Sequence, residues 1–271
     1  MDVNIEIKAL RPLSVTIKKE NTIWDSPERK TAPHIHSLCE IYINLTGNVS
    51  FVVEKNVYSI HPGDIILSRP YEYHHCIYHD NSDHQHYLIM FSVSENPELF
   101  QSILSPKEGM HNHIRLSGDK LERLIKLCEE LLRKDAPYPS SIAAFFQLIA
   151  CVNDGIASHT LPDTSTNIPT DLRKILDYID EHYTTINTVN EIAETLHLSL
   201  STLERHFKTY LSITPKRYLE DKKLQKACIL LREHYSVTEA CFESGFTDYS
   251  HFIAVFKKRF HTTPLKYQKM Q

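Results

Sequence analysis

The sequence predicts two domains: an N-terminal all-β barrel followed by a helical segment, and a C-terminal all-α domain with two helix-turn-helix units. Three observations predict this division. Short runs of β-branched and aromatic residues, separated by turns, fill residues 31–93. A set of helix signals occurs twice in the last hundred residues, at an offset of 49 residues. A stretch rich in Pro, Thr, Ser and Asp separates the two regions.

Composition limits the class of protein. A length of 271 residues suits two domains, and 41% hydrophobic with 24% charged residues is ordinary for a globular protein. No continuous apolar run reaches the ~20 residues that span a bilayer, and the first residues do not resemble a signal peptide. We therefore expect a cytoplasmic protein with no membrane partner. The six scattered cysteines, without a Cys-x-x-Cys pair, predict reduced thiols rather than disulfides or a zinc site.

Strands are predicted at 15–17, 40–45, 50–53, 64–67 and 86–91. By strand alternation, Tyr42 and Asn44 share the face of Glu40, and the isoleucines between them take the other face. A polar and aromatic inner face suits a hydroxylated ligand such as a sugar. Trp24, the only tryptophan, is a further candidate for ligand contact, although a core position is the commoner use of such a residue.

The spacing His34-x-His36-x3-Glu40-x6-Gly47 lies in this β region, and His74 follows Pro70 further on. The pattern resembles the cupin barrel, although the second motif is only partial, because the Pro falls one residue late and a Gly is missing near Glu72. The resemblance implies two alternatives. Three imidazoles and a carboxylate form a site for iron, manganese or nickel, or the barrel holds an organic effector without metal. The other histidines of the region (61, 75, 79, 84 and 86) are expected at the surface.

Two helices are predicted after the barrel. Residues 119–134 place their leucines on one stripe, and residues 139–158 are apolar over a broader arc. We expect them to cover the barrel and to pair two subunits in a homodimer. The N-terminal domain is therefore assigned to 1–158, the linker to 159–170 and the second domain to 171–271.

The second domain opens with a helix at 171–183, and its two units follow. Thr188 with Glu191, and Ser236 with Glu239, are predicted capping boxes. Each starts a short helix, a tight turn and a second helix, at 199–208 and 249–258. A connecting helix of ~18 residues, capped by Thr214 and ending near Arg232, spans ~27 Å. That length suits two helices in successive major-groove segments, ~34 Å apart on one face of DNA.

Charge follows the same division. Residues 1–170 carry 15 basic and 21 acidic residues, whereas residues from Ser199 onward carry 13 basic and 7 acidic. Together with the motifs GF-x-D-x-S-x-F and F-K-K before T-P, this second domain resembles the double helix-turn-helix of the AraC/XylS family of bacterial transcription regulators. The resemblance covers 171–271 and implies binding to double-stranded DNA.

Of the two predicted recognition helices, 199–208 and 249–258, the first has the side chains better suited to sequence-specific contacts with bases. Arg205 is the candidate for bidentate contact to guanine and Glu204 for cytosine, whereas Ala254 stands where the family commonly has Arg. Ser212 and His261 replace the usual helix-ending Gly. The predicted DNA-contacting residues are Ser201, Thr202, Glu204, Arg205, Lys208, Thr209, Tyr249, Ser250, His251, Ile253, Lys257 and Lys258.

The sequence thus predicts a sequence-specific transcription regulator and no enzyme. It would respond to a small-molecule effector in the barrel and contact RNA polymerase if it is an activator. The alternative is a cupin metalloenzyme or metal sensor with an appended DNA-binding module. Because a regulator needs only a ligand that binds two states unequally, we expect no metal and no cofactor in the effector site. That site comprises Trp24, His34, His36, Glu40, Tyr42, Asn44 and His74.

Overall fold

A computed structural model describes residues 14–22, 33–78, 84–158 and 168–269. Trp24 lies outside these residues, as does most of the predicted linker. The strands of the described part are β1 (Val15–Thr22), β2 (Cys39–Asn44), β3 (Val49–Val53), β4 (Asn56–Ile60), β5 (Asp64–Ser68), β6 (His74–Tyr78), β7 (His84–Phe91) and β8 (His113–Arg115). The predicted strands are all present, and β4, β6 and β8 are additional.

The strands form two antiparallel sheets. One has the order β1-β7-β2-β5-β8 and the other β4-β3-β6. Glu40 of β2 stands opposite Met90 of β7 on one side and Ser68 of β5 on the other. The β3–β4 hairpin closes with Val53 opposite Asn56, so its two turn residues are Glu54 and Lys55.

Strand alternation in β2 separates two apolar clusters, as predicted. Tyr42 points between the sheets and packs with Phe51, Tyr58 and Ile66. Ile41 and Ile43 point outward and pack with the helices that cover the larger sheet. Both sets are buried, so a shift of one residue in register would exchange the aromatic and aliphatic side chains between the two clusters.

The covering helices follow a 3-10 turn at Pro97–Phe100 and α1 (Gln101–Leu104). They are α2 (Asp119–Leu131) and α3 (Tyr138–Ala157). Leu124 of α2 and Leu148 of α3 are fully buried in the outward cluster of the larger sheet. By length and mean hydropathy, 20 residues and 1.4, α3 is long and apolar enough to cross a membrane, although polar residues interrupt it and no continuous apolar run in it reaches ~20 residues. The packing of its buried residues on the sheet is that of a core helix.

The second domain is helical throughout its described residues. Its helices are α4 (Thr170–His182), α5 (Val189–Thr195), α6 (Leu200–Leu211), α7 (Pro215–Arg232), α8 (Val237–Glu243), α9 (Tyr249–Phe260) and α10 (Pro264–Gln268). The α5–α6 and α8–α9 pairs are the two predicted helix-turn-helix units. Leu203 and Phe207 of α6, with Phe252 and Phe256 of α9, are fully buried in one core.

The capping predictions are confirmed in one unit and partly in the other. Ser236 and Glu239 form a complete capping box, in which each side chain accepts from the other residue's backbone N–H. At α5, Thr188 caps the helix as predicted. Its partner Glu191, however, accepts from the N–H of Asn187, at 2.9 Å, and not from that of Thr188. The carboxylate thus satisfies a donor one residue before the predicted one.

Left-handed residues end several of these helices. Ser212 after α6 and His261 after α9 have φ of 56° and 55°, so both adopt the left-handed conformation for which glycine is usual at a helix end. Each helix from α5 to α9 is followed by a residue in the left-handed conformation, and Gly245, after α8, is the only glycine among these five residues. A side chain there would also collide with the backbone of Thr184, so the tight turn of the second unit requires glycine on two grounds.

Candidate functional site

Four of the predicted effector-site residues converge at one end of the barrel. His34 and His36 precede β2, Glu40 lies in β2, and His74 begins β6. His34 and His74 exchange two backbone hydrogen bonds of 3.2 Å, which fix the entering segment to β6. Glu40 Oε2 lies 3.2 Å from His36 Nε2, 3.5 Å from His74 Nε2 and 3.8 Å from His34 Nε2. We call these four residues the His3Glu cluster.

Backbone carbonyls orient two of the imidazoles. Nδ1 of His74 donates to the carbonyl of Glu72 at 2.7 Å, and Nδ1 of His36 donates to that of Leu38 at 3.1 Å. Because a carbonyl can only accept, the ring proton sits on Nδ1 in both residues. Each Nε2 therefore presents a lone pair toward Glu40. His74 Nε2 is buried and makes no hydrogen bond to any residue in the described part of the chain.

Charge in the cluster is unevenly distributed. Burial alone would raise the pKa of Glu40, but His74 and the two other imidazoles around the carboxylate outweigh it and hold the pKa well below its usual value. Burial lowers the pKa of His74, and the neighbouring His34 lowers it further. Near pH 7 the cluster thus offers an ionised carboxylate and a neutral imidazole, which are the forms that metals bind. These residues fit the ion that the cupin resemblance implies.

Of the three remaining residues of the predicted site, Trp24 lies outside the described residues, and Tyr42 and Asn44 stand in different places. Tyr42 is buried in the barrel interior, where its ring stacks on His86 at 4.5 Å and contacts Phe51 at 5.1 Å. Phe51 in turn stacks on His74 at 6.5 Å, which places Tyr42 behind the cluster. Asn44 lies four residues from Glu40, about 13 Å along the strand. Its amide donates to the carbonyl of Gly47 at 2.9 Å, so it closes the β2–β3 turn.

The expectation that the other barrel histidines lie at the surface was wrong for three of them. His75, His84 and His86 are buried, whereas His61 is exposed. His84 and His86 alternate in β7 and face the interior with Tyr78 and Tyr42. His75 belongs to the opposite face of β6, which contacts the second domain.

The segment next to the cluster is held by the second domain. The carbonyl of Pro33 accepts from Nη2 of Arg217, in α7, at 3.2 Å and from Nη1 of Arg259, in α9, at 3.4 Å. Both arginines also pair with the buried carboxylate of Asp221. A backbone atom adjacent to His34 is thus bonded to two helices of the second domain, α7 and α9.

Aromatic packing continues this contact. Tyr73, which precedes His74, meets Tyr218 of α7 edge to face at 5.4 Å, and both rings are fully buried. His75 Nε2 donates to the carbonyl of Leu211, at the end of α6, at 2.8 Å. Val52 and Val57 of the smaller sheet belong to the same apolar cluster as the core of the second domain. The two domains therefore share a continuous apolar contact beside the His3Glu cluster.

A buried ionic network forms the far side of this interface. Lys222 Nζ of α7 bonds Glu54 Oε2 of the β3–β4 turn at 2.7 Å and lies 2.9 Å from Asp180 Oδ1 and 3.3 Å from Glu108 Oε1. Gln225 donates to Glu54 and Glu108 as well. Surrounding carboxylates raise the pKa of Lys222 although burial opposes them. Sequence reasoning missed this network, because its members are up to 171 residues apart.

The predicted DNA-contacting residues lie on the outer faces of the two recognition helices. On α6, Ser201, Glu204, Arg205, Lys208 and Thr209 are exposed, and Thr202 is half-buried. On α9, Tyr249, Ser250, His251, Lys257 and Lys258 are exposed, and Ile253 is half-buried.

Some of these side chains also have partners within the chain. The hydroxyls of Ser201 and Thr202 lie 2.9 and 2.8 Å from that of Ser199, which caps α6. His251 Nε2 lies 3.3 Å from Glu220 Oε1. Arg205, the arginine of α6, makes no such contact with another described residue, and its guanidinium projects from the exposed face of the helix.

Comparison with known proteins agrees with this architecture. Residues 20–161 match a family described as the AraC-like ligand binding domain, and residues 192–270 match a helix-turn-helix domain. This chain belongs to the AraC family. The AraC-family protein is 28% identical over 252 residues to the HTH-type transcriptional activator RhaS of Salmonella schwarzengrund, covering 88% of this chain and 87% of that one.

Solved structures also resemble it. ToxT from Vibrio cholerae covers 95% of this chain and 97% of its own, at 12% identity and a TM-score of 0.38. The C-terminal domain of the two-component response regulator yesN from Fusobacterium nucleatum covers 35% of this chain and 94% of its own, at 34% identity and a TM-score of 0.34. The AraC-family protein is a transcription regulator with a ligand-binding N-terminal domain and a DNA-binding helix-turn-helix domain.

Proposed function

We propose that this AraC-family regulator reads its DNA site mainly through α6 and has no enzymatic activity. The observation that supports this is the difference between two helices of the same fold. Arg205 projects from the exposed face of α6, whereas the exposed face of α9 carries Ala254 and the half-buried Ile253. An Arg makes bidentate contact to guanine, whereas an apolar side chain contacts only a thymine methyl group.

The lysines have a different role from Arg205. Lys208 on α6 and Lys257 and Lys258 on α9 are exposed near the helix ends. Contacts of this kind go to phosphates, which position the protein without specifying the sequence. Because such contacts release counterions, binding of the full chain should weaken steeply as salt rises.

The barrel domain binds the effector at the His3Glu cluster, and Pro33 couples effector binding there to the DNA-binding domain. The support is the pair of bonds from Arg217 and Arg259 to the carbonyl next to His34. A ligand that moves His34 changes the position of this carbonyl and so favours one docked arrangement over another. The sugar expected from the sequence would have to bind without Asn44, whose amide is engaged in the β2–β3 turn.

The regulator acts in the cytoplasm, as a homodimer paired through α2 and α3. The support is the broad apolar surface of α3, where Phe146 and Cys151 are only partly covered by the barrel core. As an activator it would contact RNA polymerase, in keeping with the named activity of its RhaS relatives.

DNA recognition by unequal helices is tested with the full chain. A binding site is first selected from random duplex DNA, and every base pair of it is then varied. Arg205→Ala should cost about 1–3 kcal/mol and relax the preference at one base pair. Ala254→Ser, at a position on the other recognition helix, is the matched control and should change little. Equal losses in the two variants would refute the unequal roles.

A further inference from the structure

We propose that the effector of the His3Glu cluster is a divalent transition-metal ion, bound by His34, His36, Glu40 and His74. This inference rests on the proposed function, in which the cluster is the receiving site of the barrel domain. It replaces the organic ligand expected from the sequence with an ion, because the geometry of the four side chains matches coordination more closely than it matches recognition of a hydroxylated molecule.

The distances match a coordination shell. With metal–ligand bonds of about 2.1 Å, the ligand atoms of a tetrahedral site stand about 3.4 Å apart. The three imidazole Nε2 atoms lie 3.2, 3.5 and 3.8 Å from Glu40 Oε2. All four ligand atoms lie within 4.8 Å of one another. Shifts of a few tenths of an ångström would therefore complete the shell.

The surroundings orient the ligands as those of a metal site do. Metal-binding histidines usually donate the other ring N–H to a carbonyl or carboxylate, which fixes the tautomer. His36 and His74 do this through Nδ1 to the carbonyls of Leu38 and Glu72. Without an ion, the buried Nε2 of His74 makes no hydrogen bond to any described residue. Leaving a buried acceptor without a partner is costly, and a metal bond would satisfy it.

The donor types narrow the class of ion. Imidazole nitrogens suit zinc, iron, nickel and copper, and carboxylates extend the range to manganese. Magnesium and calcium prefer oxygen ligands only, so a site with three nitrogens disfavours them. Binding of transition-metal ions without comparable binding of Mg²⁺ would therefore distinguish this site from an acidic surface, which attracts any divalent cation.

His34 gives the ion a route to the DNA-binding domain. It is the most exposed ligand, with 40% of its side chain accessible, and its Nε2 lies farthest from Glu40. Closure of the shell therefore moves His34 more than the buried His74. The residue before it is Pro33, whose carbonyl is held by Arg217 and Arg259. Metal binding is thus expected to change the contact that docks α7 and α9 on the barrel.

The test uses the full chain, stripped of metal and titrated separately with Zn²⁺, Mn²⁺, Ni²⁺, anaerobic Fe²⁺ and Mg²⁺ by calorimetry. The expected result is one transition-metal ion per chain and no comparable binding of Mg²⁺. His36→Ala and Glu40→Gln should weaken that binding more than about 100-fold, because loss of a supporting partner alone costs 10–100-fold. His61→Ala removes an exposed histidine of the same barrel and should bind as the native chain does.

A spectroscopic readout identifies the ligands. Co²⁺ in place of the native ion should show the visible absorption of a site with nitrogen and oxygen donors, and this absorption should be lost in Glu40→Gln. Circular dichroism of each variant establishes that the fold is retained. The absence of stoichiometric binding by any transition metal would overturn the proposal, as would unchanged affinity in both folded cluster variants.

DNA affinity measured on the same samples keeps the two proposals apart. If the metal binds and shifts DNA affinity in the native chain but not in His36→Ala, the ion is the effector. If the chain binds DNA specifically and binds no ion, the proposed DNA recognition is supported and the proposed metal site is refuted. An ion that binds with no effect on DNA affinity overturns its role as effector.

Discussion

Acid should loosen the contact between the two domains through His75. This residue of β6 is buried beneath the second domain, and its Nε2 donates to the carbonyl of Leu211 at the end of α6. Because Nε2 carries the proton, Nδ1 is the site of protonation, and it makes no hydrogen bond within the described residues. Burial lowers the pKa of His75 to about 3, against the opposing effect of the Leu211 hydrogen bond.

The sign and size of the effect follow from linkage. The pKa of His75 in the docked state lies below its ordinary value of about 6.5. Its contribution to docking is therefore complete above pH 6.5 and is lost as the pH falls from 6.5 toward 3. Each pH unit in this window costs about 1.4 kcal/mol, so at pH 5.5 the docked state loses about 1.4 kcal/mol.

The assay compares the native chain with His75→Gln by hydrogen exchange of α6 and α7 at pH 7.5 and 5.5, corrected for the intrinsic pH dependence of exchange. Gln can keep the donor to Leu211 but does not titrate. His74 also has a lowered pKa and titrates in both proteins, so only the difference between them reports His75. The native chain should lose about 1.4 kcal/mol more protection than the variant between the two pH values. Equal losses in the two proteins would refute the reasoning.

Two further changes test the stability of the second domain and of the interface, each by urea denaturation. Ser212→Gly should stabilise the chain by about 1 kcal/mol, because Ser212 adopts a left-handed conformation that glycine enters without strain; a loss of stability would contradict the strain. Lys222→Met should cost about 3–5 kcal/mol, because it leaves buried Glu54 without its cation, and adding Glu54→Gln should recover part of that loss. If the double variant is no more stable than Lys222→Met alone, the pairing between these two residues is not the source of the loss.

The repeated unit could be predicted from the sequence because its signals are local. Caps, turns and helical spacing act within a few residues, and they repeat at an offset of 48 or 49 residues. Within this domain, Lys223 donates to the carbonyls of Ile186 and Gly245, and Gln268 donates to those of Leu231 and Tyr235. These polar side chains join the two units and close the C-terminal helix.

The cluster could be predicted only in part. Strand alternation correctly predicted that Glu40 and Tyr42 share one face. It also placed Asn44 on that face, but four residues at ~3.3 Å each put Asn44 about 13 Å from Glu40, too far to join the cluster. His84 and His86 were expected at the surface, whereas their positions in β7 put their rings in the barrel interior. The interface was not predictable, because it joins residues from both domains, such as Glu54 and Lys222.

The connecting helix α7 explains how a change in the barrel can reach both recognition helices. Twelve of its 18 residues are buried, although it contains two adjacent lysines among them. Successive residues of a helix point about 100° apart, so Lys222 and Lys223 contact different parts of the protein. Lys222 enters the barrel interface at Glu54, whereas Lys223 joins the loops that precede α5 and follow α8. A displacement of the barrel that moves Lys222 therefore moves the helix on which both helix-turn-helix units are mounted. The effector would then act on the placement of α6 and α9 together, through one rigid element, rather than on the side chains that read the bases.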